Sequence, residues 1–115
     1  MKASSPLSEQ PKTVFLNGNM VSFPEAKISV MAPGLTFAAA VFEGLRAYWN
    51  EKQEQLYVFR ISEHLERLQF SARVIELESP PSSDAFKQQI LTSLSANNCR
   101  SDTYIRVQAH VDDWG

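Results

Sequence analysis

Val41-Phe42-Glu43-Gly44-Leu45-Arg46-Ala47-Tyr48 is the stretch on which the architecture turns. Read at period two, it puts Phe42, Gly44, Arg46 and Tyr48 on one face and Val41, Glu43, Leu45 and Ala47 on the other. That is the pattern of a strand with one apolar side. A polar turn at 50–55 follows, and 56–60 is predicted to return as its hairpin partner. Near the other end, 103–111 alternates in the same way, with Ile105, Val107, Ala109 and Val111 opposite Tyr104, Arg106, Gln108 and His110. Two helical patterns separate these strands. Leu65, Leu68, Ala72 and Ile75 recur at steps of three, four and three behind a candidate N-cap at Ser62, while Phe86, Ile90 and Leu94 recur at four behind Pro80-Pro81 and a cap at Ser82 or Ser83.

On the N-terminal side, Val14-Phe15-Leu16 runs into Asn17-Gly18, a pair that takes the positive φ angles of a tight hairpin turn, and 20–23 is the predicted return strand. Pro24 ends it, 28–31 reads as a further short extended piece, and Pro33-Gly34 turns the chain. Residues 1–12 are rich in Ser, Pro, Gln and Lys without periodicity, so they are expected to form a flexible tail ahead of a domain over 13–115. Strands, two helices and a last strand predict an α+β fold, a mostly antiparallel sheet with both helices packed on one face.

At 115 residues and 43% apolar, the chain can bury one two-layer core. Eleven Lys+Arg against thirteen Asp+Glu leave a net charge of −2, so no cationic field is available to hold nucleic acid. No run of eighteen apolar residues and no secretory h-region occurs, and Cys99 is the only cysteine; a cytoplasmic protein without a membrane span is expected. His64, His110 and Cys99 are too scattered for a metal site or a Cys/His nucleophile pair. Gly-rich phosphate loops, a G-x-S-x-G elbow and H-E-x-x-H are all missing.

What remains is arginine. Two strands each carry an arginine beside an aromatic on one face, Phe42/Gly44/Arg46 and Tyr104/Arg106. A guanidinium is permanently charged and its fork matches a carboxylate or phosphate, and the glycine between aromatic and arginine lets another group approach the backbone. Such a face suits an anionic small molecule; the alternative is that both arginines are simply solvated on the open side of the sheet. Arg67, on the polar flank of the first helix, is either a phosphate anchor or half of a surface ion pair with Glu63. Glu43, among apolar neighbours, is either an acid of shifted pKa or a structural hydrogen-bond acceptor.

The segments FLNGNMV, PEAKISVM, VFEGLRAY, VFRISEHLERLQFSA and TYIRV, in that order and spacing, resemble the N-terminal domain of the fold-type IV, pyridoxal-phosphate-dependent aminotransferases, and most closely the branched-chain amino-acid aminotransferases. The resemblance implies pyridoxal 5′-phosphate as cofactor, with Arg67 binding its phosphate. It implies that Phe42 and Gly44 line the substrate side-chain pocket, that Arg46 and Tyr104 help hold the α-carboxylate, and that Arg106 receives the distal carboxylate of glutamate or 2-oxoglutarate. Phe37-Ala38 stands where the family commonly has Tyr-Gly, and the residue at position 37 is implied to reach the neighbouring subunit's pocket in a homodimer. The family's Schiff-base lysine belongs to a C-terminal domain, and none of Lys2, Lys12, Lys27, Lys52 or Lys87 matches it. The 115 residues alone are therefore expected to be inactive. D-amino-acid aminotransferase and aminodeoxychorismate lyase, of the same fold, are the neighbouring alternatives, and a non-catalytic dimerisation module is the distant one. The three guanidiniums of Arg46, Arg67 and Arg106 are expected to converge on one anion-sized hollow.

Overall fold

The computed structural model describes residues 10–113. The first nine residues of the expected tail, and Trp114 and Gly115 of the HVDDWG end, lie outside them. Of the tail's remainder, Lys12 is held by the domain, its amide donating to Asn97 Oδ1 at 2.8 Å and its carbonyl accepting from the Phe23 amide at 2.9 Å.

Strands β1 (Thr13–Leu16) and β2 (Asn19–Ser22) form the N-terminal hairpin. Asn17 and Gly18 take φ angles of 51° and 80°, the positive pair that a twist-matched two-residue turn demands. A 3-10 turn at Phe23–Glu25 replaces the end of the expected return strand, since Pro24 has no amide for the ladder. The extended piece expected over 28–31 is not a strand, and Pro33-Gly34 opens a one-turn helix, α1 (Pro33–Thr36), rather than a simple turn. Proline suits the first position of a helix, where its missing amide costs nothing.

The second sheet has the order β4-β3-β5, with β3 (Ala40–Asn50) central, β4 (Gln55–Val58) on one side and β5 (Thr103–His110) on the other, all antiparallel. The expected single sheet is thus two antiparallel sheets, because β1 and β2 pair only with each other. Helices α2 (Ile61–Val74) and α3 (Ser83–Ala96) both lie on the apolar side of β3 and β5. Leu45, Val107 and Ala109 from the strands close on Leu65 and Leu68 from α2 and Phe86 and Ile90 from α3. This matches the α+β arrangement read from the alternation and the helical stripes.

Two helix starts differ in what caps them. Ser82 Oγ accepts from the Ala85 amide at 3.1 Å, the cap expected for α3. Ser62 does not cap α2. The chain leaves β4 at Val58, Arg60 turns it in the left-handed region (φ 52°), and the helix begins at Ile61 with Arg60 as its N-cap, which makes no side-chain cap bond. Ile75, expected on the buried stripe, is the C-cap and is exposed. At the far end of α3, Asn97 ties the hairpin to the helix: its Oδ1 accepts from the Lys12 and Thr13 amides and its Nδ2 donates to the carbonyls of Thr13 and Ser93.

Among the described residues, no helix is long and apolar enough to cross a membrane, and no group of three or more His, Cys, Asp or Glu side chains is placed to hold a metal ion.

Candidate active site

The register of β3 against β5 sets Phe42 opposite Gln108, Gly44 opposite Arg106 and Arg46 opposite Tyr104, all on the face away from the helices. Alternation alone put these residues on one side of their own strands, and pairing brings the two rows together. The Arg106 and Tyr104 side chains each lean toward the preceding same-face position of β3. The Arg106 guanidinium carbon lies 3.8 Å from the centroid of the Phe42 ring, stacked on it, and its Nε donates to Gln108 Oε1 at 3.2 Å. Tyr104 lies over Gly44: a Cβ built there would stand 2.8 Å from the Tyr104 hydroxyl oxygen and 3.0 Å from its ring. The group for which Gly44 leaves room is therefore, within this chain, a tyrosine of the site itself.

The charge on this face is uncompensated. Arg46 and Arg106 are exposed, and neither has a carboxylate partner among the described residues. A face with two guanidiniums, a phenol and an aromatic ring can bind a carboxylate at one point and apolar carbon at another. Gln108, which holds Arg106, was not singled out by its sequence, although its place on the Tyr104/Arg106 side of the alternation was the available signal. Phe37 stands apart from the ladder, at the C-cap of α1, and is 68% exposed.

Arg67 is not on that face. The three guanidiniums expected in one hollow are divided by β3 itself, because adjacent strand residues point to opposite sides. Glu43, between Val41 and Leu45 on its side of the strand, points toward the helices, where it is only 7% exposed. There His64 and Arg67, one turn apart on α2, meet it. Arg67 Nε donates to Oε2 at 2.9 Å and to Oε1 at 3.1 Å, and Nη2 donates to Oε1 at 2.8 Å. His64 Nδ1 lies 2.8 Å from Oε1. The hydrogen bonds from Arg67 hold the Glu43 carboxyl below its ordinary value against the opposing effect of burial, with His64 adding in the same direction. An ionised carboxylate can only accept, so His64 must carry its proton on Nδ1.

Glu43 is therefore the structural acceptor, and the partner of Arg67 is Glu43 rather than Glu63. His64, given no role from the sequence, completes the cluster. The signal for it was a lone carboxylate on an apolar strand face followed by a His/Arg pair at helical spacing.

Arg67 still has capacity for an anion. Glu43 occupies the Nε and Nη2 edge, Nη1 has no partner among the described residues, and the side chain is 67% exposed. A guanidinium with one edge bonded and the other in solvent is the donor set a phosphate group requires. None of the described lysines is on α2 beside Arg67: Lys12 precedes β1, Lys27 follows the 3-10 turn, Lys52 lies in the β3–β4 turn and Lys87 is on α3.

The family described as amino-transferase class IV matches residues 40–115. A probable branched-chain-amino-acid aminotransferase of Aquifex aeolicus is 40% identical over 99 residues, covering 86% of this chain and 32% of its own length. Among solved structures, the branched-chain aminotransferase of Thermoproteus uzoniensis with norvaline superposes with a TM-score of 0.84 at 39% identity, over 90% of this chain and 34% of that one. The T.th. branched-chain amino acid aminotransferase complexed with N-(5′-phosphopyridoxyl)-L-glutamate gives 0.81 at 33% identity, over 88% and 33%. The chain thus spans about a third of the length of each of these relatives.

Proposed function

The chain belongs to the class IV amino-transferases, and from this we propose that it is the N-terminal part of a branched-chain amino-acid aminotransferase that moves an amino group between Leu, Ile or Val and 2-oxoglutarate. The observation that carries the reading is the pair of uncompensated guanidiniums, Arg46 and Arg106, on the face that also bears Phe42, Gly44 and Tyr104. A transaminase must take an apolar and an acidic side chain in turn at one place, and the ligands of the two related structures, norvaline and a glutamate adduct, span that range.

In this reading Arg46 and the Tyr104 hydroxyl hold the α-carboxylate, and Phe42 walls the pocket beside Gly44. Arg106 serves both substrates. With an aliphatic side chain its guanidinium stays stacked on Phe42, and with glutamate or 2-oxoglutarate it turns outward to pair the distal carboxylate. No charge then has to be buried in the apolar pocket. The Nη1 edge of Arg67 receives the phosphate of pyridoxal 5′-phosphate, which when bound supplies the electron sink for amino transfer. The relatives are about three times as long as this chain, and none of Lys2, Lys12, Lys27, Lys52 or Lys87 matches the place of the family's Schiff-base lysine. Phe37 reaches the pocket of a second subunit, which makes the active form a homodimer.

The complete polypeptide, supplied with leucine, 2-oxoglutarate and pyridoxal 5′-phosphate, is expected to form glutamate; no turnover removes the assignment. D-alanine belongs in the same assay, because Phe37 lacks the hydroxyl of the family's tyrosine, and turnover of D-alanine in place of leucine would move the assignment to the D-amino-acid enzymes.

A further inference from the structure

Resting on the reading that Arg67 receives the cofactor's phosphate, we propose that Glu43 and His64 are positioning residues for that phosphate, acting only through Arg67. A surface arginine samples many rotamers, and an anion that recruits it must freeze them. Here the freezing is done beforehand from inside the protein. The Glu43 carboxylate is buried on the helix side of β3, takes both Nε and Nη2 in a fork and is itself braced by His64 Nδ1. Because β3 carries Glu43 and the helix core fixes Leu65 and Leu68 on either side of Arg67, neither partner can drift. The free edge of the guanidinium is thereby aimed in one direction before any ligand arrives, the condition under which a charged contact loses least to ordering.

A carboxylate beside a phosphate-binding arginine also repels the phosphate, so positioning and charge make opposite predictions. In the complete polypeptide, the dissociation constants of pyridoxal 5′-phosphate and of pyridoxal, which lacks the phosphate, are measured for the wild type, Glu43→Gln, Glu43→Asp and Arg67→Ala. If Glu43 positions Arg67, both Glu43 variants weaken pyridoxal 5′-phosphate about tenfold, the equivalent of one immobilised long side chain, and leave pyridoxal within about twofold. Asp keeps the charge but falls short of the fork, which separates reach from charge. Unchanged or tighter binding of pyridoxal 5′-phosphate in Glu43→Gln overturns the proposal, as does an equal loss for both ligands, which would mark a merely structural role.

Arg67→Ala separates the two levels. If it too leaves the ratio of the two constants unchanged, the phosphate reading of Arg67 fails along with the proposal; if it changes the ratio and the Glu43 variants do not, only the positioning role fails. The wild type supplies a measurement that does not depend on variants folding. Its Arg67 Nε–H nuclear magnetic resonance signal is expected to be sharp before inorganic phosphate is added, and a signal that emerges only with phosphate overturns the proposal.

Discussion

The two sides of β3 are built from neighbouring residues and obey opposite rules. On the helix side, Glu43 sits between Val41 and Leu45, and its charge is met by two partners. On the open side, Arg46 and Arg106 are left without a carboxylate among the described residues. A buried charge must be paired because desolvation without a partner is expensive, whereas an exposed one can wait for a ligand because water stabilises it meanwhile. One strand thus serves as core and brace on one side and as an open, positively charged face on the other, with the division set by odd and even position.

Substitutions on the two sides should therefore have unlike consequences. Leu45 is fully buried in the core cluster, so Leu45→Ala is expected to lower unfolding free energy by about 2–5 kcal/mol, while Arg46→Ala, one residue on, should change it by less than about 0.5 kcal/mol; urea denaturation of both variants measures the contrast. A similar cost for the two would abolish the distinction between the faces.

Acid should act on the helix side through Glu43. The carboxyl of Glu43 is lowered by Arg67 and then His64, so the unfolded chain binds its proton more readily than the folded one, and stability rises with pH through that interval. The contribution is complete above the ordinary value near 4.5 and is lost as pH falls through the lower folded value. Denaturation midpoints followed from about pH 6 downward, at about half-unit steps, should drop more steeply in the wild type than in Glu43→Gln.

On the open side, Gly44→Ala would place a methyl 2.8 Å from the Tyr104 hydroxyl. Tyr104 is exposed and its ring end can swing aside, so the stability change should stay below about 1 kcal/mol. Substrate carboxylate binding should nonetheless weaken, since the phenol is displaced; thermal melts and substrate titration together test this. Ala38→Gly should act in the opposite direction. Ala38 has a φ of 54°, which costs an L-residue and not glycine, so the variant should gain about 0.5–1 kcal/mol after the larger entropy of unfolded glycine is subtracted. A loss of stability there would show that the left-handed turn before β3 is not strained.

Legibility followed range. The Asn17-Gly18 hairpin, the alternation of β3 and β5, the stripes of α2 and α3 and the Ser82 cap all rest on residues a few positions apart, and all were readable. Ser62 misled as a cap because the turn out of β4 is made by Arg60 in a conformation no local rule assigns to arginine. The Asn97 clamp joins residues 84 and 85 positions apart, and its side chain looked like an ordinary helix end. At the site, the letters marked Phe42, Gly44, Arg46, Tyr104 and Arg106 as a set, while the stacking of Arg106 on Phe42 and the fit of Tyr104 over Gly44 depend on the lean of β5 side chains across β3.

By itself the sequence determined which residues share a face, since period two and period 3.6 are properties of the backbone and need no partner. Which faces meet was decided only by the tertiary structure. The α2 helix docks on the helix side of β3, and that contact turns Glu43 from a misplaced acid into the anchor of Arg67 and separates Arg67 from Arg46 and Arg106. Pairing across long separations is a matter of packing and desolvation, which no local pattern encodes.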